Sequence, residues 1–179
     1  DEVVGRTYPM VPTLPVRLPQ EGEDPASIPT YTSDSEDLAL IIAKMKSGVT
    51  ASLYQTWAYC GAGEDISFEV HGTEGSMRWS GANPSVFQLA IQTGHGNTGF
   101  KNIIMSGRPE DGHPYANCVP GHPGFGVGVA DNMAFQAYEV INAYVNGTPY
   151  NPCFEDAYEI LKVCDAVRQS EQTKQWVKI

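Results

Sequence analysis

Apolar residues recur along this chain in two rhythms, and the change of rhythm divides it. From Val3 to Val11, β-branched and aromatic side chains read as a first strand, stopped by Pro12. Asp37 to Met45 is a short apolar run ending at Ser47-Gly48. Val49 to Trp57 then alternates, with Val49, Ala51, Leu53, Gln55 and Trp57 on one face and Thr50, Ser52, Tyr54 and Thr56 on the other. The link Lys46-Ser47-Gly48 is hairpin-sized, so these two strands are expected to be antiparallel neighbours. Ile66–Val70 and Ser76–Trp79 flank the turn His71-Gly72-Thr73-Glu74-Gly75, and Val86–Ile91 and Phe100–Met105 follow. Links this short favour a meander, because a parallel crossover needs about a dozen residues or more.

The last third changes period. Val129, Met133, Ala137, Ile141 and Tyr144 recur at three- and four-residue steps, with Ala130, Ala134, Tyr138 and Val145 beside them. Asn146-Gly147 and then Pro149 supply stop chemistry for that amphipathic helix. Glu155 to Ser170 repeats the pattern through Ala157, Ile160, Leu161, Cys164 and Val167, entered through Asn151-Pro152, and Gln175–Ile179 reads as a closing strand. Strands first and helices later predict an α+β fold: an open, largely antiparallel sheet with both helices on one face. Between the first two strands, Pro12 to Ser35 carries five prolines and the acidic run Glu21-Gly22-Glu23-Asp24. Proline opposes ladder pairing, so 12–36 is expected to be an extended arm or long loop within a single 1–179 domain, with a subunit contact as its role.

Length and charge narrow the function. One domain, or one domain plus an arm, is what 179 residues predict. Lys+Arg 11 against Asp+Glu 21 gives a net charge of −10, and the cations are scattered. Such a surface repels phosphate backbones and anionic lipid, so neither nucleic acid nor membrane is an expected partner. No apolar run approaches the roughly 18 residues of a membrane span. Cys60, Cys118, Cys153 and Cys164 form no CxxC pair and read as free thiols of a reducing, cytoplasmic setting, Cys153 and Cys164 serving as small apolar residues in or beside a helix. The chain opens Asp1-Glu2-Val3-Val4, without Met or a signal-peptide pattern, and reads as part of something longer.

Several motifs suggest chemistry and are weighed against plainer roles. Gly121, Gly124, Gly126 and Gly128 precede a helix, as in a phosphate cradle, but Asp131 stands where a third fingerprint glycine belongs; a loop with Asp131 near the first helical turn is the better reading. His113, Cys118 and His122 are three zinc-type ligands in a Pro/Gly loop without a fourth, so no metal site is assigned. Imidazole, phenol and amide together in that loop also suit hydrogen bonding to sugar hydroxyls. No GxSxG supports a serine nucleophile. Glu64-Asp65 and Glu155-Asp156 read as loop and helix-start charges in preference to glycosidase carboxylates. Trp57, Tyr59 and Trp79 read as core or interface, with sugar stacking as the alternative for the two tryptophans.

In order, these segments resemble a known family. Phe68-Glu69-Val70-His71-Gly72-Thr73-Glu74-Gly75-Ser76-Met77-Arg78-Trp79 resembles the "fEv.Gt.Gs..w" stretch of the Gfo/Idh/MocA oxidoreductases. Pro152-Cys153-Phe154-Glu155-Asp156-Ala157, Val163–Val167, Ser170 and Gln175-Trp176-Val177 resemble its closing "p.f.dg…v.dai..S…W" signature. Gly99-Phe100, His113-Pro114-Tyr115 and Pro120-Gly121-His122 are similar to sugar and polyol dehydrogenase members, inositol dehydrogenases among them. The resemblance implies the C-terminal, dihydrodipicolinate-reductase-like domain of an NAD(P)-dependent dehydrogenase whose Rossmann domain binds NAD or NADP. The family's glycine-rich cofactor turn, its "EKP" lysine and its Asp/His pair have no counterpart in these residues, so the 179-residue chain is not expected to bind the coenzyme or to transfer hydride unaided. His122 is then the leading substrate-loop residue, with Tyr115 and His113 behind it; no catalytic residue is assigned. The resemblance further implies a homodimer or homotetramer, and Leu53, Trp57, Phe68 and Trp79 along the strands predict an apolar sheet face for that contact. The alternative is a free-standing carbohydrate-binding or assembly module.

Overall fold

A computed structural model of the chain describes residues 1–61, 63, 65–92, 99–104, 115 and 128–179. Its elements are, in order, β1 (Glu2–Tyr8), β2 (Thr13–Pro15), β3 (Thr30–Thr32), β4 (Leu38–Lys44), β5 (Thr50–Thr56), β6 (Ser67–His71), β7 (Gly75–Ser80), β8 (Val86–Ile91), β9 (Lys101–Ile104), α1 (Val129–Asn146), α2 (Phe154–Thr173) and β10 (Val177–Lys178). Every strand pairing among the described residues is antiparallel, as the short links predict for β4–β5 and for β6 to β9. The fold is α+β, and it falls into two units, 1–60 with 151–179, and 61–150.

In the first unit the ladder runs β10-β1-β4-β5. The β4–β5 hairpin closes as expected: Met45 N–H donates to Val49 O, Gly48 N–H donates to Met45 O, and Gly48 has a φ of 85°, which favours glycine. On one face of β1, Val3 stands opposite both Ala43 and Val177, and Gly5 stands opposite Ile41. Against that face α2 lays Ala166 and Val167, forming with Val3 a small core flanked by Ile41, Ala43, Val163 and Val177. A Cβ on Gly5 would come within 2.7 Å of Val167 Cγ1, so the helix approaches where β1 has no side chain. The buried face of α2 is therefore Ala166, Val167 and Ser170, with Val163 half-buried. Ile160, Leu161 and Cys164, which periodicity assigned to it, are exposed. Small residues win this contact because the glycine lets the backbones close.

The arm departs from expectation. β2 and β3 pair in register, Leu14 opposite Tyr31 and Pro15 opposite Thr30. Ser33 N–H donates to Pro12 O, and Val16 N–H donates to Pro29 O. The prolines at both ends contribute only carbonyls. By the alternation of antiparallel pairs, Pro15 occupies a non-hydrogen-bonded position where its missing N–H breaks nothing. At the tip, Arg17 grips Glu23 through two bonds, Nη1–Oε2 at 2.7 Å and Nη2–Oε1 at 2.6 Å. At the base, Asp37 Oδ2 accepts the N–H groups of Met10 and Val11. A long proline-rich connection is thus a closed ribbon.

The second unit contains the ladder β6-β7-β8-β9 and α1. Register places Phe68, Val70, Met77, Trp79, Phe87, Leu89 and Ile103 on one face, and Glu69, His71, Arg78, Gln88 and Asn102 on the other. A polar chain crosses the second face: Arg78 Nε–H donates to Gln88 Oε1, and the Gln88 amide donates to Asn102 Oδ1. Glycine is required at position 75, where a Cβ would lie 2.5 Å from Ala90 O of the neighbouring strand. α1 begins where Gly128 N–H donates to Asp131 Oδ2 at 2.7 Å and ends at Gly147, φ 62°. Its predicted stripe of Val129, Met133, Ile141 and Tyr144 is exposed, while Phe135 is half-buried under an aromatic stack. Leu53 and Trp57 belong to the first unit, and Phe68 and Trp79 to the second. The expected apolar set is therefore spread over two ladders.

Candidate functional site

Of the three predicted substrate-loop residues, Tyr115 falls among the described residues, whereas His113 and His122 lie outside them, as does Cys118. The Tyr115 ring is half-buried and stacks on Phe135 of α1, centroids 4.6 Å apart and planes 20° from parallel. Tyr138, one turn further along α1, meets the same ring edge-on at 6.3 Å and 88°. Aromatic pairs favour both geometries, each worth about 0.5–1.5 kcal/mol beyond burial. Phe135 and Tyr138 stand at i and i+3 on one helix face, which is why two contacts converge on one ring. Sequence reasoning placed Tyr138 beside the apolar stripe and passed over Phe135. The aromatic pair at helical spacing was the available signal.

The other motifs resolve mostly into scaffold. Asp65 accepts bonds from Ser80 Oγ and Ala82 N–H, organising a turn. Asp156 Oδ2 accepts Cys153 N–H at 2.8 Å and caps α2. That backbone bond holds the Asp156 carboxyl below its ordinary range, and a bond from the Cys153 side chain does the same for Glu155. A glycosidase pair needs one carboxyl raised so that it stays protonated; here both are lowered, which fits the helix-start reading. The Cys153 thiol is pushed up: the Asp156 backbone contact lowers it, but both neighbouring carboxylates raise it. Its position is that of the residue preceding the first turn of α2. Asp131 likewise already occupies a donor at the start of α1 that a phosphate would need. No group of three or more metal-ligating side chains occurs among the described residues.

The family-like motifs are structural in the same way. Phe68 stacks against Trp79 at 6.0 Å across β6–β7, and Trp79 Nε1–H donates to Pro84 O at 3.0 Å. Ser170, fully buried, accepts Gly5 N–H at 3.1 Å and donates to Gln175 O at 2.7 Å. It thereby joins β1, α2 and the bend that leads into β10. Trp176 lies under the Lys44 ammonium, 4.2 Å from Nζ to ring centroid. Of the tryptophans read as sugar-stacking alternatives, Trp79 is engaged in packing and Trp57 is 81% exposed.

The ladders and the two helices make an α+β domain of a kind found as the C-terminal part of longer proteins. The chain belongs to the oxidoreductase family (Gfo/Idh/MocA), C-terminal alpha/beta domain, whose model matches residues 7–179. It is 25% identical over 147 residues to levoglucosan dehydrogenase of Pseudarthrobacter phenanthrenivorans, an alignment covering 82% of this chain and 37% of that protein. In fold it resembles a levoglucosan dehydrogenase solved with NADH and L-sorbose, at TM-score 0.85 and 24% identity over 98% of this chain and 43% of the other. It also resembles an oxidoreductase domain protein from Kribbella flavida, at TM-score 0.84 and 24% identity over 99% and 45%. The chain thus spans less than half the length of these relatives. No helix among the described residues is long and apolar enough to cross a membrane.

Proposed function

We propose that this chain is the substrate-binding and oligomerisation domain of a cytoplasmic NAD(P)-dependent sugar or polyol dehydrogenase, working with a nucleotide-binding domain that it does not itself contain. The observation that carries this reading is the family match over residues 7–179, joined to relatives more than twice as long. A levoglucosan dehydrogenase solved with NADH and levoglucosan, and the complex with L-sorbose, point to a hydroxylated substrate. His122, Tyr115 and His113 are the proposed hydroxyl contacts. A site built to pair sugar hydroxyls discriminates because a missing hydroxyl leaves a desolvated group unpaired. The test is coenzyme reduction by the full-length protein with levoglucosan, L-sorbose and inositol, alongside the 179-residue chain alone. Turnover by the first and none by the second is expected; a full-length protein that reduces neither NAD+ nor NADP+ with any of them overturns the proposal.

Association belongs to the same proposal, with a second copy of the chain as partner. Phe68, Val70, Met77 and Ile103 are exposed on one face of β6–β9, apolar surface of the kind that isologous interfaces of about 800 Å² per partner bury. Sedimentation at micromolar concentration is expected to give a dimer or tetramer, and Val70→Lys is expected to weaken it. A strictly monomeric profile counts against it.

A further inference from the structure

We propose that Phe135 and Tyr138 are positioning residues that seat Tyr115 for contact with a hydroxylated substrate, an inference that rests on the substrate-contact role given to Tyr115 above. A tyrosine carried on a connection between elements has two side-chain torsions to fix before its contact with a ligand is productive. The parallel stack on Phe135 sets the plane of the ring, and the edge contact with Tyr138 limits its slide along that plane. Two contacts of different geometry define one pose where either alone leaves a degree of freedom. Both partners stand on α1, an eighteen-residue helix closed by Asp131 at one end and the left-handed Gly147 at the other. Sites held by regular elements are more precise than sites held by loops. Phe135 also stands outside the apolar stripe of α1, whose members Val129, Met133, Ile141 and Tyr144 are exposed. General amphipathicity therefore does not account for its burial, and the stack with Tyr115 is one contact that covers it.

Pre-ordering a side chain removes an ordering cost from binding, and the usual size of that cost corresponds to roughly a two- to tenfold change in affinity. The experiment has two arms. In the 179-residue chain, ring resonances of carbon-13-labelled tyrosine are expected to show Tyr115 shifted by its neighbours, to move in Phe135→Leu, and to return in Phe135→Tyr. In the full-length protein, Phe135→Leu is expected to raise KM for levoglucosan two- to tenfold with kcat unchanged, again restored by Phe135→Tyr. Tyr115 resonances indifferent to Phe135→Leu overturn the seat, whatever the enzyme turns over. A moved resonance with unchanged KM overturns its role toward substrate. If instead Tyr115→Ala itself leaves KM unchanged, the substrate-contact reading fails, a result distinct from either of these.

Discussion

Replacing Ser170 by Ala removes one oxygen from a fully buried position, and the consequence can be worked out bond by bond. Ser170 Oγ accepts Gly5 N–H at 3.1 Å and donates to Gln175 O at 2.7 Å. Gly5 is buried beneath Val167, so in Ser170→Ala its amide has no replacement acceptor. Leaving a buried donor unpaired costs about 1–3 kcal/mol. Gln175 is exposed and water can pair its carbonyl, so the second lost bond adds little. A total of about 1.5–3 kcal/mol corresponds to roughly a ten- to hundredfold fall in the folded-to-unfolded ratio. With a urea dependence of about 1–3 kcal/mol per molar, the midpoint drops by roughly 1 M. Two assays read this: urea unfolding by circular dichroism, and hydrogen exchange at the Gly5 amide, which should accelerate more than amides of β5. Thr173→Ala is the control, because its hydroxyl bonds the exposed Gln169 carbonyl within the helix and should be nearly silent. A midpoint for Ser170→Ala within 0.2 M (about the error of the method) together with a still-protected Gly5 amide would refute the assignment.

Gly75→Ala should be more damaging than Gly5→Ala, since the new methyl meets a backbone carbonyl at 2.5 Å in one case and a side-chain methyl at 2.7 Å in the other. About 1–3 kcal/mol is expected for the first and less for the second, read by thermal unfolding. Glu171 should titrate below the ordinary glutamate value of about 4.3, chiefly because of its bond from Lys174, in a carbon-13 carboxyl titration. Its folded-state value is depressed, so its contribution to stability is present above the unfolded value and is lost as pH falls through the folded one; Lys174→Met should move the midpoint up. Lys44→Ala should shift the fluorescence emission of Trp176, read in a chain with Trp57 and Trp79 replaced by Phe, because the ammonium over that ring is removed.

The strands and the hairpin between β4 and β5 were legible because they rest on local alternation and on turn residues such as Gly48, which act within a few positions. The ends of α1 were equally legible in Asp131 and Gly147, whose capping chemistry is local. The buried face of α2 was not. Ile160 and Leu161 are the larger hydrophobes, and periodicity favoured them; the contact was decided by Gly5, well over a hundred positions away in the chain, whose absent side chain admits Val167 and Ala166. The β2–β3 ribbon was missed for a related reason. Proline content argues against pairing in general, but its effect depends on which register positions the prolines occupy. In the candidate site, the aromatic composition of the loop was readable, whereas the partner of Tyr115 lay on a helix that the sequence did not connect to it.

The residues that carry the family likeness and those proposed to meet substrate are different sets, and the contacts say why. Ser170, Gly75, Trp79 and Asp156 each complete a contact internal to the fold: a bridge between elements, a close strand approach, a stacked ring, a helix cap. None of these contacts depends on which molecule the protein recognises, so the same residues suit members with different substrates. Changing such a residue lowers the population of folded protein without altering the relative affinity of that folded protein for two ligands. A residue touching substrate does the reverse. In the full-length protein, Ser170→Ala and Asp156→Ala should therefore lower the melting temperature while the ratio of kcat/KM for levoglucosan over L-sorbose stays within about twofold, a change of roughly 0.4 kcal/mol. Tyr115→Ala should shift that ratio well beyond that margin at little cost in melting temperature. A Ser170→Ala protein that stays folded with an altered ratio would show that the bridge between β1 and α2 also shapes the substrate site, and the separation of scaffold from specificity would fail.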